Sequence, residues 1–212
     1  MINTIIFDFD GTLVDTNELI LNSFKHISEV YHKDYDEDYI LSSFGEPLKN
    51  AIQRDYNEHN IDEVLLTYKN YQEERFKEQV TLYDMVLETL QILQEKKFKL
   101  GIATSRLKKS TQDALKLFDI EHFFKCVITV DDVANPKPHK EPLEKAMSLL
   151  GSNREETIYV GDTEFDVVCA QNAGVTPALV GWHLHSSQLA KKHNVQTVLQ
   201  RMDDLLKVIK EN

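Results

Sequence analysis

The chain has 212 residues and a formal net charge of −11, and 42 % of its residues are hydrophobic. This composition is typical of a folded globular protein, and the acidic excess argues against binding to nucleic acid or an anionic membrane, because both would repel it. No run of about 20 apolar residues is present, so we expect no membrane span. The chain begins without a basic leader and has two cysteines, Cys126 and Cys169, which favours a reducing cytoplasmic location.

The chain opens with a short strand that is followed by a long helical block. Residues 2–7 are an apolar, β-branched run that is too short for a helix and predicts a buried strand. From residue 15 to residue 81 no segment predicts a strand convincingly. We therefore expect an all-helical cap domain, residues 15–81, inserted into a core of residues 1–14 and 82–212. Its apolar residues have helical spacing at residues 19–30, 40–44, 48–59 and 64–76.

Beyond this block, apolar strand-like runs alternate with helical patterns. Such alternation predicts an α/β fold, here a Rossmann-like parallel sheet core with helices on both faces. A proline in a first-turn position supports one of the helices. The predicted strands lie at residues 98–104, 125–130, 157–161 and, more weakly, 175–180, and the predicted helices lie at residues 85–93, 142–150 and 202–209.

Polar side chains follow four of these strands. In open α/β sheets, ligands bind beyond the carboxyl ends of the strands, so these side chains are expected to meet at one rim. They are Asp8, Asp10, Gly11 and Thr12 after the first strand, Thr104, Ser105 and Arg106 after the second, Lys137 in the loop after the third, and Asp162 and Asp166 after the fourth.

The chemistry of this cluster favours a phosphoryl group held with a metal ion. Asp8 and Asp10 are two residues apart and can share a face, and Asp162 would bring a third carboxylate. Like charges this close require a cation, and oxygen ligands favour Mg²⁺. Lys137, the hydroxyl groups and the turn amides around Gly11 would stabilise the charge of a transferring phosphoryl group, and a carboxylate can act as the nucleophile.

In chain order, these segments resemble the four motifs of the haloacid dehalogenase-like hydrolase superfamily. The motif segments are Asp8-Phe9-Asp10-Gly11-Thr12, the strand-end Thr104, Lys137 before Pro138, and Gly161-Asp162-Thr163 with Asp166. The resemblance covers essentially the whole chain and includes the helical cap after the first motif. It implies that Asp8 attacks phosphorus and that Asp10 protonates the leaving group and then activates water. It also implies that Thr104 and Lys137 hold the phosphate.

The same resemblance implies the metal ligands. Mg²⁺ would be held by Asp8, the backbone carbonyl of Asp10, and Asp162, while Asp166 would orient Lys137 or a metal-bound water. Four neighbouring residues are further candidates for binding phosphate or substrate: Gly11, Thr12, Ser105 and Arg106.

Single positions narrow the activity within the superfamily. Dehalogenase and phosphonatase members lack an acid at the position of Asp10, so its presence indicates an oxygen leaving group that needs a proton. Mutase-like members carry a histidine after the Asp-Thr that opens the cap, and the segment from Asp15 to Ile20 has none. The closest similarity is to helical-cap pyrophosphatases and phosphoglycolate phosphatases, although Glu46 in the cap loop is unexpected beside pyrophosphate.

We therefore expect a Mg²⁺-dependent phosphohydrolase that acts on a small anionic phosphorylated substrate. The alternatives are a phosphotransferase or sugar-phosphate mutase of the same superfamily, and a catalytically silent binding module with this fold. For some assignments a neighbouring residue could fill the same role, and some of the residues could instead have a purely structural role. Lys140 competes with Lys137, Ser105 competes with Thr104, Arg106 can equally be solvated, His183 and His185 are read as part of an irregular loop, and Trp182, Tyr68 and Tyr71 are read as packing residues.

Overall fold

The computed structural model describes residues 2–183 and 185–211, and it has a parallel sheet at its centre. In the described residues this sheet has six strands, in the order β5-β4-β1-β6-β7-β8, and a separate antiparallel pair joins β2 to β3. The strands are β1 (Thr4–Phe7), β2 (Val14–Asp15), β3 (Thr81–Leu82), β4 (Lys99–Ala103), β5 (Cys126–Ile128), β6 (Thr157–Gly161), β7 (Thr176–Val180) and β8 (Thr197–Leu199).

Helices cover both faces of the six-stranded sheet. Successive residues of a strand point to opposite faces, so Ile5 and Phe7 pack into one core cluster and Ile6 into another. This explains why β1 is a continuous apolar run, as expected for a strand that is buried on both sides. The helices are α1 (Asn17–Val30), α2 (Glu37–Ser42), α3 (Leu48–Asp55), α4 (Ile61–Gln79), α5 (Val86–Glu95), α6 (Lys108–Leu117), α7 (Glu141–Leu150), α8 (Glu164–Ala173), α9 (Ser186–His193) and α10 (Leu205–Glu211).

Helices α1–α4, which we call the helical insert, pack around a core of their own. Phe24 and Ile27 of α1 lie in one buried cluster with Ile52 of α3 and Val64 and Tyr68 of α4. The insert begins after β2 and ends before β3, so the two strands that pair with each other also carry the chain into and out of it.

The α/β fold predicted from the sequence is confirmed, with three strands missed. β2 and β3 fall at the ends of the segment in which no strand was expected, and β8 follows the last strand that was predicted. Two- and three-residue strands are too short to produce an alternating pattern, so they are defined by their partners rather than by their own sequence. None of the helices in the described part of the chain combines the length and the hydropathy needed to cross a membrane.

Candidate active site

The expected polar rim forms at the carboxyl end of β1. β1 pairs with β4 on one side and β6 on the other, so the residues that follow these three strands are neighbours. Asp8 continues the sheet beyond β1 by donating its backbone N–H to the carbonyl oxygen of Val160 at 2.8 Å. Asp8, Thr104 and Asp162 are all buried at this rim.

Lys137 supplies a buried positive charge between two of the carboxylates. Its Nζ lies 2.6 Å from Oδ1 of Asp166 and 3.0 Å from Oδ1 of Asp8, and it donates to the hydroxyl of Tyr159 at 3.2 Å. Burial alone would lower the pKa of Lys137, but the two carboxylates outweigh it and raise the pKa above its usual value. Lys140, the competitor in the sequence, instead pairs with Glu144 in solvent.

Asp166 is fixed by donors on both carboxylate oxygens. Oδ1 accepts from Lys137 and from the Tyr159 hydroxyl at 2.9 Å, and Oδ2 accepts from the backbone and the hydroxyl of Thr163 at 3.0 and 2.7 Å. Burial raises its pKa, but Lys137 and the Thr163 donors more than offset this and leave the pKa below its usual value. Asp166 is therefore an ionised anchor for the ammonium of Lys137.

Asp8, Asp162 and Asp166 form an acidic triad that could bind a metal ion. They can each present a carboxylate oxygen within 4.8 Å of the others. Burial raises the pKa of Asp8 to about 7 and raises that of Asp162 well above its usual value, despite the nearby Lys137. Oδ1 of Asp8 is buried and has no hydrogen-bond partner, although it lies close to the ammonium. A donor set made only of carboxylate oxygens fits Mg²⁺.

Gly11 allows the backbone to pass directly over Asp162. Its φ of +73° disfavours other residues, and a Cβ at this position would lie 2.1 Å from Oδ2 of Asp162. The buried Thr12 donates its hydroxyl to Oδ1 of Asp162 at 3.4 Å. Trp182 donates its indole N–H to the carbonyl oxygen of Gly11 at 3.0 Å and packs against Tyr83.

The residues after β4 connect the rim to the helical insert. The backbone N–H of Arg106 donates to Oγ1 of Thr104 at 3.1 Å, and Nη1 of Arg106 donates to Oδ1 of Asp10 at 3.0 Å. The Ser105 hydroxyl donates to the carbonyl oxygen of Gly45 in the loop between α2 and α3, at 2.9 Å. Thr104 thus orients the turn, while Ser105 touches the insert.

A cavity of about 1020 Å³ lies between the rim and the insert. Its walls include Asp8, Asp10 and Arg106 from the rim and Glu46 from the insert. Oε2 of Glu46 accepts a hydrogen bond from Nη1 of Arg54. The same guanidinium also pairs with Asp55 at 2.8 Å, so the negative charge that was unexpected beside an anionic substrate is offset only in part.

Sequence reasoning gave no role in this site to Tyr159, which accepts a hydrogen bond from Lys137, or to Phe76, which lines the cavity. Tyr159 lies inside the apolar run of β6. Because a buried hydroxyl needs a hydrogen-bond partner, this tyrosine could have been predicted to contact polar residues of the site. Trp182 was read as a packing residue; it packs against Tyr83 and in addition donates a hydrogen bond to the Gly11 carbonyl. His183 lies 4.0 Å from Asp162, and no cluster with metal-ligand spacing includes His183 or His185 among the described residues.

The sequence matches the family model described as "Haloacid dehalogenase-like hydrolase" over residues 5–180. The chain belongs to this family. Relatives with the same organisation include a pyrophosphatase PpaX from Halalkalibacterium halodurans, which is 39 % identical over 98 % of this chain and 97 % of its own length. The PpaX protein of Anoxybacillus flavithermus is 38 % identical with the same coverage.

Solved structures of haloacid dehalogenase-like hydrolases share the fold. A family member from Streptococcus pneumoniae has a TM-score of 0.84 at 24 % identity, with 98 % of both chains covered. A Lactobacillus plantarum protein with the provisional name phosphoglycolate phosphatase has a TM-score of 0.85 at 21 % identity, covering 98 % of this chain and 99 % of its own. The family resemblance seen in the motifs is confirmed, and so is the expected enzyme class, a phosphatase.

Proposed function

We propose that the chain is a Mg²⁺-dependent phosphohydrolase that cleaves a small anionic phosphorylated substrate through an aspartyl-phosphate on Asp8. The observation that carries this proposal is the environment of Asp8. This carboxylate is buried, lines the cavity, and has its Oδ1 held 3.0 Å from the ammonium of Lys137. A buried carboxylate of this kind is positioned to act as a nucleophile once a cation stabilises its ionised form.

The residues that would hold Mg²⁺ are Asp8, Asp162 and the backbone carbonyl of Asp10. Asp166 supports them without ligating, because both of its oxygens already accept hydrogen bonds from protein donors. When bound, Mg²⁺ would neutralise the clustered carboxylates and polarise the phosphoryl oxygens.

The protein groups then divide the reaction between them. A carboxylate oxygen of Asp8 forms a bond to phosphorus as the bond from phosphorus to the leaving oxygen breaks. Asp10 gives its proton to that oxygen and later accepts a proton from the water that hydrolyses the acyl phosphate. Lys137 and the hydroxyl of Thr104 bind the phosphoryl oxygens, and the turn amides beyond Gly11 and Thr104 offer further donors.

We further propose that residues 15–81 act as the cap over a core of residues 1–14 and 82–212. The paired strands β2 and β3 would serve as its two-stranded stem, and the contact between Ser105 and Gly45 would hold the cap over the cavity. Closure would exclude bulk water from the acyl phosphate until the leaving group departs.

Inorganic pyrophosphate and phosphoglycolate are the proposed substrates. The names of the curated relatives favour pyrophosphate, and the pairing of Glu46 with Arg54, which also pairs with Asp55, reduces the electrostatic objection to it. The two buried cysteines, Cys126 and Cys169, are unpaired, which supports the expected cytoplasmic location.

The test is phosphate release from both compounds by the purified chain, first with EDTA and then with Mg²⁺ restored. We expect turnover only with Mg²⁺ and none for Asp8→Asn, because an amide is a poor nucleophile. Phosphoryl transfer to an added sugar in place of water would support the mutase alternative. Absence of metal-dependent turnover on both compounds would support the silent binding module.

A further inference from the structure

We propose that Arg106 is the residue that selects the leaving group, by binding the negative charge that the leaving group of each proposed substrate carries next to the scissile bond. This inference rests on the proposed function and adds a specificity-determining residue to it. It assigns Arg106 to the leaving group and not to the transferred phosphoryl group, which Lys137 and Thr104 hold.

Arg106 lies in contact with Asp10, and this contact places it beside the leaving group. Nη1 of Arg106 lies 3.0 Å from Oδ1 of Asp10, and both side chains line the cavity. Asp10 is the proposed proton donor to the leaving oxygen, so a guanidinium in contact with it lies beside the leaving group. Asp10 is the anion that pairs with this cation through Nη1, so a leaving group with its own negative charge would be a second anion beside the guanidinium.

The guanidinium of Arg106 has hydrogen-bond donors that the protein does not use. The side chain is only 7 % exposed, and its buried Nε has no hydrogen-bond partner among the described residues. A guanidinium presents its donors as a rigid fork that matches a carboxylate or phosphate, and Asp10 occupies only part of that fork. Nε is buried away from the cavity, so a second anion in the cavity would bind the fork through the terminal nitrogens.

The helical insert helps to fix the plane of the Arg106 guanidinium. The ring of Phe76, in α4, lies 4.9 Å from the Arg106 guanidinium, and the ring of Phe9 lies 6.0 Å from it on the core side. Stacking of this kind suits arginine and keeps water from the face of the cation. Phe76 is thus a positioning residue, and its contribution depends on the insert lying over the site.

Other cations of the cavity wall are less suited to this role. Lys109 is 78 % exposed and pairs with Asp113 at 2.9 Å. Lys69 also lines the cavity, from the insert, but as a lysine it offers a flexible point charge in place of a fork. The variant Lys69→Gln therefore tests whether Lys69, and not Arg106, binds the leaving group.

The experiment uses two substrates that differ only in leaving-group charge. Phosphoglycolate carries a carboxylate where 2-hydroxyethyl phosphate carries a hydroxymethyl group. We expect the wild-type chain, with Mg²⁺, to show a kcat/KM at least about tenfold higher for phosphoglycolate. Arg106→Gln should reduce that preference by about tenfold or more, mainly through KM, and Arg106→Lys should leave an intermediate preference because it keeps the charge but not the fork.

A matched control is available on the same helix as Phe76. Arg75 also stacks on an aromatic ring, with its guanidinium 4.1 Å from the centroid of Tyr71, but it does not line the cavity. Arg75→Gln should therefore keep the wild-type preference. Phe76→Leu should raise the KM for phosphoglycolate more than the KM for the neutral analogue.

Each outcome decides one of the two proposals. A preference that survives in Arg106→Gln, or one that is lost in Lys69→Gln instead, overturns the role of Arg106 and leaves the phosphohydrolase proposal intact. Equal wild-type turnover of both compounds also overturns it. Turnover of neither compound and none of pyrophosphate by the wild-type chain with Mg²⁺ overturns both proposals. If only pyrophosphate is hydrolysed, an unchanged kcat/KM for pyrophosphate in Arg106→Gln overturns the role of Arg106 alone. If Arg106→Gln does not fold, as judged by circular dichroism, Arg106→Lys is used in its place. A preference for phosphoglycolate in Arg106→Lys that equals the wild-type preference counts against the role of Arg106.

Discussion

Nζ of Lys137 lies 3.0 Å from Oδ1 of Asp8, and the same ammonium lies 2.6 Å from Asp166. Asp162 adds a third buried carboxylate to this cluster. One lysine cannot balance three ionised carboxylates in a buried site, so one of them tends to keep its proton. Burial first, and the neighbouring Asp166 second, raise the pKa of Asp8, and a divalent cation would favour its ionised form.

The first prediction concerns the pH dependence of stability without metal. Burial raises the pKa of Asp8 from 3.8 to about 7. The folded state therefore binds a proton that the unfolded state has released, and the free energy of unfolding falls as pH rises between about 4 and 7. Relative to Asp8→Asn, the wild-type chain in EDTA should lose about 1–3 kcal/mol across this interval, as measured by urea denaturation.

Metal binding should reverse this trend. Ligation requires the ionised carboxylate, so the stabilisation by Mg²⁺ should be larger at pH 8 than at pH 5. Asp8→Asn is the matched control and should gain little from Mg²⁺ at either pH. A stabilisation by Mg²⁺ that is equal at both values would count against Asp8 as a ligand.

The second prediction is that Lys137→Met destabilises the protein strongly. Removing the lysine leaves Asp8 and Asp166 buried without their cation, which should lower the free energy of unfolding by about 3–5 kcal/mol at pH 8 without metal. Part of this loss should return at pH 5, because protonation neutralises the carboxylates. Turnover should fall at least about a hundredfold if the lysine also binds the phosphoryl group.

Lys140→Met provides the control for this prediction. Lys140 is the neighbouring lysine that competed for the same role in the sequence, and it forms an exposed pair with Glu144. Its replacement should change the free energy of unfolding by less than about 0.5 kcal/mol. Equal effects of the two substitutions would refute the buried role of Lys137.

The sequence was sufficient to predict the sheet core and the residues of its rim. The apolar runs of β1, β4 and β6 mark buried strands, and parallel strands bring the residues after them to one edge. Contacts between distant segments left no local signal. Trp182 reaches Gly11 from 171 positions away, and Phe76 reaches Arg106 from the helical insert. Such pairs depend on how the insert and loops pack, which neither periodicity nor motif spacing encodes.

The third prediction is that Trp182→Phe lowers kcat about three- to tenfold. The substitution keeps an aromatic ring against Tyr83 but removes the N–H that binds the Gly11 carbonyl. Loss of one such hydrogen bond costs about 1 kcal/mol, and here it would loosen the turn that carries Asp10. Steady-state kinetics with Mg²⁺ measures the effect. A change confined to thermal stability, with kcat and its pH profile unchanged, would show that Trp182 only packs.

The fourth prediction concerns the contact between the cap loop and the core. Gly45 has a φ of +87°, and a Cβ at this position would lie 2.4 Å from Oγ1 of Thr163. Gly45→Ala should therefore displace the loop and weaken the hydrogen bond from Ser105 to the Gly45 carbonyl. We expect kcat/KM to fall about tenfold, in addition to a backbone cost of about 1 kcal/mol.

The variant Gly151→Ala separates the expected loss of kcat/KM from the backbone cost in stability. Gly151 also has a positive φ, of +57°, but a Cβ there would meet nothing within 4 Å. Both variants should show the backbone cost in urea denaturation, because both place alanine in a left-handed conformation, and Gly45→Ala should lose more because of its clash with Thr163. Only Gly45→Ala should lose catalytic efficiency, because only there does the added methyl group push the insert away from Thr163. If both variants kept wild-type kcat/KM, the contact of Gly45 with the core would not control closure over the cavity.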